Sequence, residues 1–581
     1  MRDYFDAEMR LLHETAQEFA RAYPEQAGML SLGALKDRDP YVERLLEGVA
    51  YLTAHIRQRI DDELPEMSEG LLGLLWPHFL RPMPSLTIME FVPRTGQLQE
   101  TKMLPRHSEI VAAPLTVDTP VGKESVSCRF RTVYPLDVHP IRISAASTTE
   151  RSSGGTVLRL AFEVEPGIKI ENLELSRVPL YLHADPAVVM ALYKALAGSV
   201  ESVQIRFPAQ PLVGGRRLGG QECVEPCHLT PDDSLIPLNG RSFAGFHLLH
   251  DYFSFREKYF FIALKNLDHA SFPPQTREFE VEIRVRDLLP AEVHVSAEMF
   301  RLHCVPAINL FPLQAEPVRL TQRRHEYPVI ADAVNRYSTE VYSVEQVTSM
   351  DAKSSVRHVY NPLYSFKHYK GGRYFQAVRR VLGSGRREMY ITVSDGGDFR
   401  EQTLSCDVMA TNGSVPREHL QIGAINMPGS VFPSYLSFRN ITRPTRMLLP
   451  PDRESFQWTL ISHLSMNYAS IADTDVLRRL LHLYDWTGEE ANERRIEGLE
   501  VISAHAADMM HKGVFMSGME MRLRARDDAY GSVADCYCFI HVLHRFFSSY
   551  ANINSFVRTR ASTQPSNEEF VWQPTLAVTT N

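Results

Sequence analysis

DRDPYVERLLEGVAYLTAHIRQRIDDELPEMSEGLLGLLWPHFLRPMPS, residues Asp37–Ser85, closes an amino-terminal segment beginning at Tyr4 that reads as helices made to be gripped by other protein. Asp39 can accept backbone N–H bonds as a helix N-cap, Pro40 suits the first helical position, and Glu43 and Arg44 follow in the first turn, with the Glu43 carboxylate near the positive end of the dipole. Behind that start, Val42, Leu45, Leu46, Val49, Leu52, Ile56 and Ile60 recur at helical spacing, and they are expected to form the buried side. Asp61, Asp62 and Glu63 crowd the other end, where the dipole disfavours acids, so a solvated exit or a basic partner is required before Pro65. The next piece, LLGLLWPHFL with Leu75 and Trp76, is apolar nearly all round, interrupted by Pro77 and far too short to span a bilayer. It must be buried, in this chain or in another.

Upstream, Phe5, Met9, Leu12, Ala16, Phe19 and Tyr23 alternate steps of four and three until Pro24. That is one narrow helical stripe, as in a bundle seam. The charge sits here too: residues 1–70 hold fifteen Asp/Glu against eight Lys/Arg, a net of −7 within a chain whose formal total is −8. No basic surplus points to nucleic acid. The first ten residues, MRDYFDAEMR, carry acids where a signal peptide needs an apolar run, and no later window is apolar enough to cross a membrane, so a cytoplasmic protein is expected. Seven cysteines scattered over 581 residues are expected to be reduced thiols.

After Pro84 the texture changes to short runs bounded by Pro and Gly: LTIMEFV, SCRFRTVYPL, HPIRIS and TVLRLAFEVE are strand signals. DPAVVMALYKALAG is a helix with Asp185 and Pro186 at its start and Gly198 at its end. Gly214–Gly220 reads as a loop without phosphate-binding context, and Phe243–Phe255 with the strands that follow as the sheet core. Arg301–Leu320, rich in Pro and apolar residues around Asn309, reads as an extended segment crossing between sheets. Val359–Arg380 interleaves basic and aromatic residues, and a protein contact or surface hairpin is preferred there over a stacking platform for single-stranded nucleic acid. Past Pro444 and Pro450–Pro451, helices are expected over TLISHLSMNYASI and DTDVLRRLLHLYDW, a strand over VFMSGMEMRLRARDD, and a closing helix from Ser532 with Val542, Leu543, Phe546, Phe547 and Tyr550 on one face. The predicted class is α+β and multidomain: an amino-terminal helical bundle segment (1–84), a β-rich central domain with inserted helices (85–326), a second β-rich module (327–445) and a mixed α/β carboxyl-terminal region (446–581). Hinges are expected near Pro82–Pro84 and Pro444–Pro451.

No nucleophile elbow, HExxH, P-loop or dinucleotide fingerprint occurs. Two Cys/His groups have metal-ligand chemistry: Cys223, Cys227 and His228, and Cys536, Cys538, His541 and His544. The first lacks a second matching pair, and in the second the cysteines two apart cannot share a helical face, so buried thiols are the commoner outcome and no metal, cofactor or catalytic residue is assigned.

The run from Asp39 to Pro84 resembles the amino-terminal motif of TssF, the VasA or ImpG family of type VI secretion baseplate subunits. HDYFSFREKYFF (His250–Phe261), RLHCVPAINLFPLQAEPVRL (Arg301–Leu320), EVYSVEQV (Glu340–Val347) and FFSSYANINSFV (Phe546–Val557) stand in that family's order, whereas Arg379–Arg400 and the terminal LAVTTN match nothing in it. The resemblance implies a structural part of a contractile injection machine, with two TssF copies on one TssG. That wedge would engage TssK and the sheath connector TssE, six wedges surrounding the central spike at the membrane complex and carrying sheath growth. It implies contact with the membrane only through that complex. From the helical pattern itself, protein contacts are expected at Phe5, Met9, Leu12, Phe19, Asp39, Pro40, Val42, Glu43, Arg44, Leu45, Leu46, Val49, Leu52, Ile56, Leu75 and Trp76. The reading from another class is a cytosolic β-rich enzyme, metal-dependent or carbohydrate-active.

Overall fold

A computed structural model describes residues 5, 8–12, 15–16, 41, 44–55, 70, 72–73, 75–210, 215–237, 245–270, 272–273, 275–290, 293–321, 323–350, 357–363, 372–382, 386–395, 402–429, 431–451, 459–461, 471–511, 513–549 and 555–576. The chain divides into two units, one formed by Met1–Leu80 with Asp452–Ser465, the other by Arg81–Pro451 with Met466–Asn581. Among the described residues of the smaller unit, 5, 8–12, 15–16, 41, 44–55, 70, 72–73 and 75 are α-helical, and Pro77–Leu80 is a 3-10 turn. No described helix is long and apolar enough to cross a membrane.

The larger unit is α+β, built from several sheets with helices packed on them. Alternating sequences make its strands: Thr156–Val164 and Glu278–Val285 pair antiparallel, which puts Phe162 opposite Phe279 with rings stacked at 5.0 Å. These two strands lie in a five-stranded sheet, and Phe261–Lys265 and Arg177–Leu182 form the middle of a four-stranded one. A six-stranded sheet is centred on Arg129–Thr132 and Cys304–Ile308, with Leu86–Pro93 beside the latter, and an eight-stranded sheet contains Gln402–Thr411 and Glu340–Met350.

Arg301–Leu320 does cross between sheets. Phe300–Leu302 pairs with Arg177–Leu182, Cys304–Ile308 enters the six-stranded sheet, and Phe311–Gln314 and Val318–Leu320 both pair with Gln402–Thr411 in the third. His303, at φ 53°, makes the first change of direction in a left-handed conformation. Pro306 is accommodated because pairing with Arg129–Thr132 begins only at Ala307, while the Pro306 carbonyl still accepts the Val133 N–H at 2.9 Å.

Several expectations need correction. Of the stretch Phe243–Phe255 read as sheet core, Gly245–Ser254 is instead a helix buried on every side, an apolar run whose period cannot distinguish helix from strand. Within the Gly214–Gly220 loop, Arg216–Gly219 is a strand. Val359–Arg380 is not a hairpin, since Arg357–Pro362 and Arg373–Val381 meet in parallel at Asn361 and Tyr374. The helix Pro186–Gly198 starts at Asp185 and Pro186 as read, but the Asp185 side chain makes no capping bond. By contrast Asp473 caps Thr474–Tyr484, accepting the N–H groups of Asp475 and Val476 at 2.9 and 3.0 Å. Leu499–His511 is a thirteen-residue strand paired along its whole length with Val514–Arg526.

Candidate subunit interface

The helix at 44–55 carries two stripes, and the chain uses the smaller one for itself. Ala50 and Ala54, one turn apart, are buried and Leu46 is half-buried, whereas Leu45 (68% exposed), Val49 (40%) and Leu52 (63%) face solvent with Tyr41, Arg44 and Tyr51. The expected buried side is therefore corrected: alanines let a neighbouring backbone come close, and the larger Leu45–Val49–Leu52 stripe is left in water. An apolar seam at steps of four and three that its own fold leaves exposed has the form of a contact surface. Thr53 Oγ1 returns to the Val49 carbonyl at 2.9 Å, and the Tyr51 and His55 rings meet edge-on at 5.0 Å.

Phe5, Met9, Leu12 and Ala16 are helical and half-buried. Leu75 is half-buried and Trp76 buried, its ring 5.8 Å from Phe79. Phe19, Asp39, Pro40, Val42, Glu43 and Ile56 lie outside the described residues.

In the larger unit the family-like motifs are spent on internal locks. Asn309, fully buried, donates to the Arg129 carbonyl at 2.7 Å and to Asn412 Oδ1 at 2.9 Å. Its own oxygen accepts from Thr411 Oγ1 at 2.8 Å and the Asn412 N–H at 2.7 Å, so every hydrogen-bonding site of the amide is used where two sheets meet. In HDYFSFREKYFF, Lys258 Nζ reaches Asp251 Oδ2 at 2.7 Å with both side chains fully buried. Burial pushes the Asp251 carboxyl up, and Lys258 opposes that shift. Arg256 bonds Asp535 on the closing helix Val533–Ser549, joined there by Arg495 at 3.0 Å. That helix is buried nearly all round rather than on one face, and Tyr550 lies outside the described residues.

The two hinge stretches are bonded to each other. Met83 and Leu448 exchange N–H···O bonds at 2.8 and 3.0 Å, Ser85 Oγ donates to the Thr445 carbonyl at 2.6 Å, and Thr87 Oγ1 donates to the Thr442 carbonyl at 2.8 Å.

Neither Cys/His group is arranged as a ligand set. Burial pushes the Cys227 thiol up to about 12, with Arg177 at 3.2 Å from its sulfur, and the His228 ring stacks on Tyr134 at 4.2 Å. On the closing helix the Cys538 thiol is likewise raised to about 12, His541 bonds Tyr193 OH at 3.1 Å and His544 bonds Thr559 Oγ1 at 2.9 Å. Among the described residues no group of three or more His, Cys, Asp or Glu could hold a metal ion.

The family model "Type VI secretion system, TssF" matches residues 1–578. The chain is 30% identical to the type VI secretion system component TssF1 of Pseudomonas aeruginosa, over 98% of either chain. Of solved structures, it is similar to a chain of the TssK-TssF-TssG baseplate subcomplex at 29% identity and TM-score 0.77, covering 92% of this chain and 98% of that one. It also resembles a chain of the type VI secretion baseplate complex at 26% identity and TM-score 0.58, covering 99% and 100%. A family model matching residues 1–578 and a relative 30% identical over 98% of the chain mean that this chain belongs to the TssF family.

Proposed function

We propose that this chain is a structural, non-catalytic component of a type VI secretion baseplate, assembling with TssG and TssK, and that the Leu45–Val49–Leu52 seam is where its helical unit is completed by another subunit. The exposure of that seam is the observation that carries the proposal, and the likeness to a TssK-TssF-TssG subcomplex supports the choice of partners. Phe5, Met9, Leu12, Phe19, Asp39, Pro40, Val42, Glu43, Arg44, Leu46, Ile56, Leu75 and Trp76 belong to the same contact region. Two copies share one TssG, and the wedge so formed engages TssE, the sheath and the central spike, in the cytoplasm against the inner-membrane complex. The β-rich modules 85–326 and 327–445 act as stiff spacers. Hinges near Pro82–Pro84 and Pro444–Pro451 let the helical segment adjust to non-equivalent surroundings.

Co-expression with cognate TssG, followed by light scattering after size exclusion, tests this. A two-to-one complex is expected, and Leu45→Asp abolishes it. A monomer that ignores TssG, or a Leu45→Asp chain that still assembles, refutes the proposal.

A further inference from the structure

The carboxyl-terminal four-stranded sheet ends in an unusual edge. Its order is Leu499–His511, Val514–Arg526, Phe556–Gln564, Glu569–Leu576, so Leu499–His511 is an outer strand. At thirteen residues it runs about 40 Å. Exposed edges of this length are normally guarded by Pro, Lys, a bulge or a covering element. Here the guards stand at one end only. A bulge falls between Val501 and Ser503, Thr474 of the neighbouring helix bonds Val501 N at 2.9 Å, and Arg478 bonds the Leu499 carbonyl at 3.0 Å. From Ile502 onward no described strand pairs with the outer side, and His505, Ala506, Asp508 and Met510 are exposed.

The far half of this strand is also unsupported from within. Val514–Arg526 gains its third strand only from Met519, opposite Val557. Ala507–His511 and Val514–Gly518 therefore continue beyond the sheet as a two-stranded ribbon, an arrangement that is marginal in water. Met509 lies opposite Met516 and Met510 opposite Phe515, with Met510 75% and Phe515 70% exposed. Large apolar side chains on a bare ribbon, beside an open edge, require a further strand.

We propose that this edge pairs antiparallel with the same strand of a second copy of the chain, about a two-fold axis through Ala504–Ala507, so that each copy's ribbon lies along the base of the other's sheet. The strand is complementary to itself. A two-fold normal to the sheet keeps inner face with inner face, and with Ala506 on the axis Asp508 stands opposite Ala504 and His505 opposite Ala507, while Met510 reaches the bulged Ile502 at the end of the regular pairing. Apolar meets apolar at the ends, small residues allow close approach at the centre, and no like charges face one another. An axis on His505 would instead oppose His505 to itself and Ile502 to Asp508. Main-chain bonds supply the association and the side-chain pattern sets its register.

The full chain alone tests this, with neither TssG nor TssK present, so failure here leaves the baseplate role standing and the reverse also holds. All seven native cysteines are buried, which leaves a clean background for single additions. Ala506→Cys should give a disulfide-linked dimer under mild oxidation, Ala504→Cys much less, and exposed Val431→Cys none. Ala506→Lys places two ammonium groups on the axis and should weaken self-association by about tenfold or more in sedimentation, with an unchanged melting curve. A wild-type chain that stays monomeric at micromolar concentration, disulfides formed equally at Val431→Cys, or self-association indifferent to Ala506→Lys would each overturn the proposal.

Discussion

The helix at 44–55 and the crossing segment Phe300–Leu320 present opposite solutions to the same problem. Asn309 brings a polar side chain into the interior and every one of its hydrogen-bonding sites is met by this chain. Leu45, Val49 and Leu52 carry apolar surface at regular spacing, and this chain leaves much of it in solvent. One region is closed by its own sequence, and the other is left for a different chain to close. The contrast locates where assembly acts on the molecule and where stability is made.

Acid should break the closed region first. Burial holds His250, His303 and His544 at about 3 and His139 at about 4, well below the ordinary histidine value. A group whose folded value is depressed contributes its full stability above the unfolded value of about 6.5, and that stability is lost as pH falls from there toward the folded value. Each such histidine therefore costs up to about 1.4 kcal/mol per pH unit in that window, several kcal/mol together by one unit below it. Melting temperatures measured from neutrality downward should fall steeply with no loss of the 44–55 helix before the rest. Lys258→Met comes next, since it strands the buried Asp251 carboxylate at a cost of about 3–5 kcal/mol, read as a lower melting temperature. Asn309→Leu leaves the Arg129 carbonyl, the Thr411 hydroxyl and Asn412 without their partner inside the protein, about 2–4 kcal/mol, and should open the Gln402–Thr411 region to proteolysis. Leu45→Asp sharpens the comparison from the other side: as an exposed position it should change the chain's own melting by less than about 0.5 kcal/mol while removing assembly.

Much of this division was readable from residues. Alternation marked Thr156–Val164 and Glu278–Val285, and prolines among apolar residues marked Arg301–Leu320 as extended and crossing, because neither pattern has a helical alternative. Three things were not. Gly245–Ser254 is apolar on every side, so its period carries no information. Leu499–His511, with its alanines and methionines, has helix-forming composition and becomes a strand only through pairing with Val514–Arg526, a tertiary effect. On the 44–55 helix the spacing marked an apolar stripe but not that this chain leaves it exposed, because periodicity cannot tell which of two stripes its own chain will cover. The alanine pair Ala50 and Ala54 was the available clue, since small residues are what a close helix contact needs.

The central claim is that the exposed helical seam is finished by another subunit while the crossing segment is finished within the chain. Amide hydrogen exchange of the chain alone and in its TssG complex tests this most directly. Exchange at 44–55 should slow markedly on assembly, with Cys304–Leu320 equally protected in both states. Unchanged exchange at 44–55 in an intact complex would contradict the account.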